Sequence, residues 1–240
     1  MRRKAILIIH GFAGGTYDEE NLANVLEFVK NFDVFSFTLP GHESRKDKAT
    51  REDWINSARS HIEMLINHGY KDIYVIGHSM GGVIASIVAS EYKEVKKLVL
   101  AAAAFQYLNS YESKLNVREL MGLIKTNVSD YSAEEIYSRF LKMPLNSLKE
   151  FMSIVKENQD VVRNINIPTL IIHGSKDKLV PFSSSTYIYD NIKSKNKYLY
   201  KIKRINHDVF NNDRQSEVCD IIVKFLKTKF YFDTFFKKEI

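Results

Sequence analysis

The chain has 240 residues, 45% of them hydrophobic and 27% charged, with 35 Lys+Arg against 29 Asp+Glu and a net charge of +6. Those values suit one large globular domain and exclude a disordered, collagen-like or disulfide-stapled chain. The only cysteine is Cys219, so no intrachain disulfide can form and nothing demands an oxidising compartment. At the N-terminus, Arg2-Arg3-Lys4 precedes the apolar run 5–9. That run is too short for a signal-peptide core, and it ends at His10-Gly11 without a small-residue cleavage site. No apolar stretch approaches the ~20 residues that span a bilayer. The expectation is a cytoplasmic protein with no stable membrane anchor.

Short, mostly β-branched apolar runs recur at 5–9, 34–37 and 73–76, and again at 97–100, 169–172 and 198–202. Continuous runs of this kind suit strands covered on both faces by helices. Helical patterns fill the gaps. Residues 21–30 place Leu22, Val25, Leu26 and Val29 at helix spacing. Thr50-Arg51-Glu52-Asp53 resembles a capping box and opens a helix with Trp54, Ala58, Ile62 and Leu65 on one face. The stretch 79–92 is small and apolar, which predicts a buried helix. A last helix starts near Asp213, with Val218, Cys219, Ile222, Phe225 and Leu226 on its apolar face. Strands alternating with helices imply right-handed βαβ units and a mostly parallel sheet. The aromatic tail 230–236 is expected to dock on the body.

Residues 105–162 break the rhythm. They carry no strand signal but predict helices at 134–143 and 145–158, the second with Leu145, Leu148, Phe151, Met152 and Val155 on one stripe. We read this segment as a helical cap inserted into a core formed by residues 1–104 and 163–240, and not as an independent domain. The basic stretch with Lys193, Lys195, Lys197, Lys201, Lys203 and Arg204 interleaves Tyr198 and Tyr200, as a nucleic-acid stacking platform would. The preferred reading is a strand with Tyr198, Tyr200 and Ile202 on one face and lysines on the other, so no nucleic-acid partner is expected.

The chemistry concentrates at Gly77-His78-Ser79-Met80-Gly81-Gly82, which follows the apolar run 73–76 and opens the helix 79–92. This G-x-S-x-G in a strand–turn–helix context resembles the nucleophile elbow of α/β-hydrolases. So sharp a turn leaves room only for glycine at 77 and 81, and it lifts the Ser79 hydroxyl to the carboxyl end of the sheet. A serine is a poor nucleophile until a base takes its proton. In this family the order along the chain is Ser, then Asp or Glu, then His. Of seven histidines, His61 and His68 are expected to face solvent, His78 to point away from the serine, and His173 lacks a good acid between itself and Ser79. His207, in the loop before the last helix, is the expected base. Asp177, in the loop after the strand 169–172, is the expected acid, with Asp208 as runner-up. The oxyanion donors are expected to be the N–H groups of Met80 and of Phe12, where Gly11 lets the backbone turn and His10 can brace the loop. The glycines after the first strand match no phosphate-binding pattern, and no metal-binding motif is present, so neither cofactor nor metal is expected.

Taken together, His10-Gly11-Phe12, Leu39-Pro40-Gly41-His42, the Ser79 elbow, Pro168-Thr169-Leu170-Ile171-Ile172-His173-Gly174 with Asp177, and Asn206-His207 resemble the α/β-hydrolase superfamily over essentially the whole chain. Within it the chain looks most like small bacterial carboxylesterases, monoacylglycerol lipases and cinnamoyl or feruloyl esterases. Glu43 departs from the second glycine that many members carry in that loop. The chain opens at the strand before the oxyanion loop, so the resemblance implies a six-stranded sheet. It also implies a two-step acyl transfer on a small-molecule ester, with Phe12, Met80, Phe105, Met121, Phe140 and Met143 as the apolar lining. A serine nucleophile argues against haloalkane dehalogenases and epoxide hydrolases, and Met80 after it argues against a proline iminopeptidase. The same triad would serve a thioesterase, an amidase or a carbon–carbon bond hydrolase or lyase, and a catalytically silent binding module is the remaining class.

Overall fold

The computed structural model describes residues 3–43, 48–106, 143–229 and 234–240. Seven strands form one sheet: β1 (Lys4–Ile9), β2 (Phe32–Phe37), β3 (Ile73–His78), β4 (Val95–Ala101), β5 (Thr169–Gly174), β6 (Asn196–Ile202) and β7 (Thr234–Glu239). Their spatial order is β2-β1-β3-β4-β5-β6-β7, and every neighbouring pair is parallel. The helices between them are α1 (Glu20–Glu27), α2 (Arg51–Asn67), α3 (Met80–Glu91), α4 (Leu145–Glu157), α5 (Phe182–Asn191) and α6 (Gln215–Lys227).

The sequence led us to expect six strands. The seventh comes from the aromatic tail, which pairs with β6 instead of merely docking. Phe236 sits against Tyr198 and Tyr200 at ring distances of 6.0 and 5.2 Å. The C-terminal Ile240 accepts from Lys203 N–H and donates to the Lys201 carbonyl at 2.7 and 3.0 Å. Lys237 and Lys238 lie on this edge strand, where lysines oppose edge-to-edge pairing.

The strands read as continuous apolar runs because each face meets helices. Ala5, Leu7 and Ile9 of β1 enter one core cluster with residues of α2, α3 and α4, while Ile6 and Ile8 enter a second with residues of α1 and α6. The capping box at the start of α2 forms: Thr50 N–H donates to Asp53 Oδ2 at 2.8 Å, and Asp53 N–H donates to Thr50 Oγ1 at 3.2 Å. The trailing end of α6 is capped from inside, where Lys97 Nζ donates to the carbonyls of Phe225, Leu226 and Thr228. On β6, Tyr198 and Tyr200 pack on the second cluster, and Lys197 lies 4.8 Å from the Tyr189 ring of α5.

The expected cap falls largely outside the described residues, including 134–142 of the helix expected at 134–143 and both Met121 and Phe140. Its trailing part is α4, which buries Leu148, Phe151, Ile154 and Val155 in the first core cluster. Arg51 at the start of α2 holds α4 from outside through Glu150 and Glu157, both at 2.8 Å. Among the described residues no helix is long and apolar enough to cross a membrane.

The connectivity fixes where a site can form. From β1 the chain crosses to β2 on one side and then back to β3 on the other. The carboxyl ends of β1 and β3 therefore flank a topological switch point, where open α/β sheets leave a crevice.

Candidate active site

The turn after β3 carries Ser79. Its φ of 53° and ψ of −120° put a residue with a Cβ in a sparsely populated region, a strain of about 1–3 kcal/mol. Main-chain bonds hold it there: Ser79 N–H donates to Ala101 O at 2.9 Å, and Ser79 O accepts from Gly82 at 3.0 Å and from Ala104 at 3.1 Å. The two elbow glycines pack on each other and on the switch point. A Cβ at Gly77 would lie 2.3 Å from Gly81 O, and one at Gly81 would lie 2.2 Å from Ile9 O. Gly81→Ala must therefore push α3 off β1. Overpacking costs about 1–3 kcal/mol, and the upper end applies here because the struck atoms are main chain; Tm is then expected to drop by roughly 6–12 °C at 2–4 °C per kcal/mol. A melting curve within 2 °C of the parent would contradict that packing.

The loop after β1 passes directly over the serine. A Cβ at Gly11 would meet Ser79 Cβ at 3.0 Å and Oγ at 3.6 Å. Gly14 N–H donates to Gly11 O at 3.2 Å, closing a turn over Phe12 and Ala13 in which Ala13 adopts φ 60°. His10 braces this turn. Its Nδ1–H donates to Gly11 O at 2.7 Å, and its Nε2 accepts from Leu39 N–H at 2.9 Å. Only the neutral ring can do both. Burial, helped by the neighbouring His42, pulls its pKa down to about 3.

His10 has a folded pKa below its unfolded value, so its contribution is present above about pH 6.5 and is lost as the pH falls toward 3. His10→Gln carries no such acid penalty. The stability gap between the parent and His10→Gln, measured by urea unfolding, is expected to narrow from pH 7 to pH 4. A gap that widens would reverse the assignment.

Asp177 follows β5 and His207 follows β6. The structure brings them together: His207 Nδ1–H donates to Asp177 Oδ2 at 2.8 Å. The Asp177 side chain is fully buried. Its Oδ1 accepts from Leu179 and Val180 N–H, both at 2.9 Å. Burial alone would raise its pKa, but the charge and hydrogen bond of His207, with help from His173 and Val180 N–H, hold it below the ordinary carboxylate value. His173 is itself buried, 3.4 Å from Asp177 Oδ2, with Nε2–H on Val180 O and Nδ1 accepting from Ser185 Oγ. It packs behind the Asp177 carboxylate. The two loops are laced together, since Lys176 N–H donates to Ile205 O at 2.9 Å and Gly174 has no room for a Cβ beside Asn206 O. Asp208 instead uses its N–H on Asn206 Oδ1.

His78 lies under the elbow, turned toward the histidine loop. Its Nε2–H donates to the main-chain carbonyl of His207 at 3.0 Å, and its Nδ1 meets Glu19 Oε1 at 3.1 Å. Sequence reasoning missed Glu19. Its position in an acidic stretch before α1 gave no sign that it is buried. His61, expected in solvent, stacks on Phe37 at 3.8 Å.

Of the expected oxyanion donors, Met80 begins α3, where N–H groups have no partner within the helix, and Phe12 sits in the turn over Ser79. The Phe12 ring stacks on Phe151 of α4 at 5.0 Å. Of the other expected lining residues, the Met80 and Phe105 side chains are wholly buried, Met143 is nearly so, and Met121 and Phe140 lie outside the described residues.

A family model described as Hydrolase_4, serine aminopeptidase S33, matches residues 1–215. The chain is similar to a carboxylesterase of Bacillus subtilis, with 24% identity covering 93% of this chain and 92% of that one. It is similar to a thermostable monoacylglycerol lipase of a Bacillus species, with 23% identity over 84% of this chain and 82% of that one. Among solved structures it resembles one of the metagenome-derived lipolytic enzymes LipS and LipT, with a TM-score of 0.76, 20% identity and 94% of both chains covered.

Proposed function

The chain belongs to the Hydrolase_4 family of α/β-hydrolases, and from that premise we propose that Ser79, His207 and Asp177 form a triad that cleaves carboxylic esters through an acyl-enzyme. The observation that carries the reading is convergence. The bent elbow after β3, the glycine loop after β1 and the buried Asp177–His207 pair after β5 and β6 all lie at carboxyl ends of one parallel sheet, and His78 of the elbow reaches the His207 carbonyl at 3.0 Å.

In the first step His207 Nε2 takes the Ser79 proton as Oγ attacks the ester carbonyl. Phe12 and Met80 N–H groups hold the oxyanion. The proton then passes to the departing alcohol. Water attacks the acyl-enzyme with His207 again as base, releasing the acid and restoring Ser79. Asp177 keeps Nδ1 protonated, so that Nε2 is the acceptor.

The substrate in this proposal is a small ester with an apolar acyl or aromatic part, as in a carboxylesterase or monoacylglycerol lipase. The segment 105–162 serves as a cap over the crevice and selects among esters. Phe151 supports that role, because it joins α4 to Phe12. In this reading the protein acts in the cytoplasm and without nucleic acid, since Tyr198 and Tyr200 pack on the core.

The test is a panel of p-nitrophenyl esters of graded acyl length, with a monoacylglycerol, a hydroxycinnamate ester, an acyl thioester and an aminoacyl p-nitroanilide. We expect oxygen esters to give the highest kcat/KM, and each methylene to change it by roughly 1–3 kcal/mol of transition-state binding. Turnover of the anilide alone would move the protein to the aminopeptidase reading that the family description names. Release from the thioester alone would make it a thioesterase.

A further inference from the structure

We propose that Glu19 and His78 form a buried pair that positions the catalytic base, holding the His207 main chain beside the elbow through the bond from His78 Nε2–H to the His207 carbonyl. The inference rests on the catalytic reading of Ser79 and His207 above. It adds a role for two residues that the triad chemistry does not use.

The geometry is a chain of contacts through the core. Glu19 ends the short 3₁₀ turn Thr16–Glu19 that follows the glycine loop. Its Oε1 lies 3.1 Å from His78 Nδ1, and His78 Nε2 lies 3.0 Å from His207 O. The His78 ring is flanked by His207 at 5.1 Å and Phe210 at 5.5 Å. Glu19 is 1% and His78 6% exposed, so water does not compete for these bonds. The second Glu19 oxygen, Oε2, is buried with no hydrogen-bond partner among the described residues. A carboxyl group is kept in this position at the expense of an unsatisfied oxygen, although an apolar side chain would fill the space without one.

Two hydrogen bonds need two protons. If Glu19 is ionised, the imidazolium supplies Nδ1–H and Nε2–H. If the shared proton moves to Glu19, its O–H donates to Nδ1 while Nε2–H still reaches His207 O. Either form makes both bonds. Once the pair loses that proton, a single N–H is left for two acceptors, and one contact becomes lone pair against lone pair. The charged and titratable groups around the pair are Asp18 in the same turn, Asp208 and His207 in the loop after β6, and His10 at the end of β1. Burial works against the charge on His78, but the hydrogen bond and charge of Glu19 outweigh it and raise the pKa to about 9. Burial raises Glu19 to about 7 against the opposing pull of His78. Both contacts are made at neutral pH; as the pH rises through about 9 the Glu19 carboxylate, the stronger acceptor, keeps the one remaining N–H on Nδ1, and the bond to the His207 carbonyl is lost.

The experiment compares His78→Leu, His78→Gln and Glu19→Gln with the parent from pH 6 to pH 10. The readouts are kcat and KM on p-nitrophenyl butyrate, and the rate of Ser79 labelling by a fluorophosphonate. His78→Leu removes the donor and is expected to lower kcat and the labelling rate at least tenfold with KM nearly unchanged. A glutamine places an amide N–H where Nε2 stood, so His78→Gln is expected to recover to within about threefold of the parent. In Glu19→Gln the carboxamide donates to Nδ1 at every pH, so the alkaline decline near pH 9 seen in the parent is expected to disappear. Equal activity in parent and His78→Leu, or equal losses in His78→Leu and His78→Gln with an unchanged pH profile, would overturn the proposal. The parent's own ester turnover tests the hydrolase reading separately. If the parent were inactive, the downfield NMR signal of the His207 Nδ1 proton would still decide about the pair. A step near pH 9 in the parent that is absent in Glu19→Gln supports it, and identical titrations overturn it.

Discussion

Ser79→Ala is expected to abolish ester turnover while leaving the fold and its melting temperature nearly unchanged. The bonds that hold this residue at φ 53° are made by its main chain, with Ala101, Gly82 and Ala104, and an alanine keeps all of them. Serine and alanine also meet similar backbone strain in that region, because both carry a Cβ. The variant therefore removes one oxygen and little else. That oxygen is the atom that would attack the carbonyl, and losing a triad nucleophile lowers turnover by on the order of 10⁶. Removal of His207 on top of Ser79→Ala should add almost nothing, because the triad acts as a unit. The measurements are kcat on the best ester of the panel, fluorophosphonate labelling and a thermal melt. Residual activity above a few per cent in a well-folded variant would show that another group is the nucleophile.

The parts of this site legible in the sequence were those whose signal is local. The elbow is one: Gly77 and Gly81 flank Ser79 because a Cβ at either would run into main-chain oxygen, and such a constraint leaves glycines at fixed offsets. Likewise Asp177 and His207 follow recognisable strands, and loops at strand ends are where such groups must emerge. What escaped the reading depends on partners far away in the chain. Residues 234–239 form a strand only because β6 offers an edge and Tyr198 and Tyr200 offer rings to cover. The Glu19–His78 contact spans 59 positions, and nothing near Glu19 distinguishes it from a solvated acid. Met80 and Phe105 suited a cleft by type, yet the core encloses their side chains completely. Apolar character alone cannot separate a lining residue from a packed one.

Asp177→Asn is expected to lower kcat by on the order of 10⁴ with little change in KM, and the hydrogen bonds around the carboxyl group say why. Oδ1 accepts from two main-chain donors, the N–H groups of Leu179 and Val180 at 2.9 Å each. An asparagine carbonyl must take that place, since an amide NH₂ there would face two donors. The NH₂ is then forced to the Oδ2 position, 2.8 Å from His207 Nδ1 and 3.4 Å from His173 Nε2. His207 can accept from it only by giving up the Nδ1 proton and carrying it on Nε2. In that tautomer Nε2 is a donor and cannot remove the Ser79 proton. The fold should survive, because the carboxamide keeps the two loop bonds, while the base is locked in the wrong form. Asp208 is the control. Its main chain, not its carboxylate, is engaged with Asn206, so Asp208→Asn should keep kcat within about threefold of the parent. Steady-state kinetics on both variants at pH 7 and pH 9 decide the matter. If Asp208→Asn proved the more damaging of the two, the acid role would pass to Asp208 and the Asp177–His207 contact would be a structural brace.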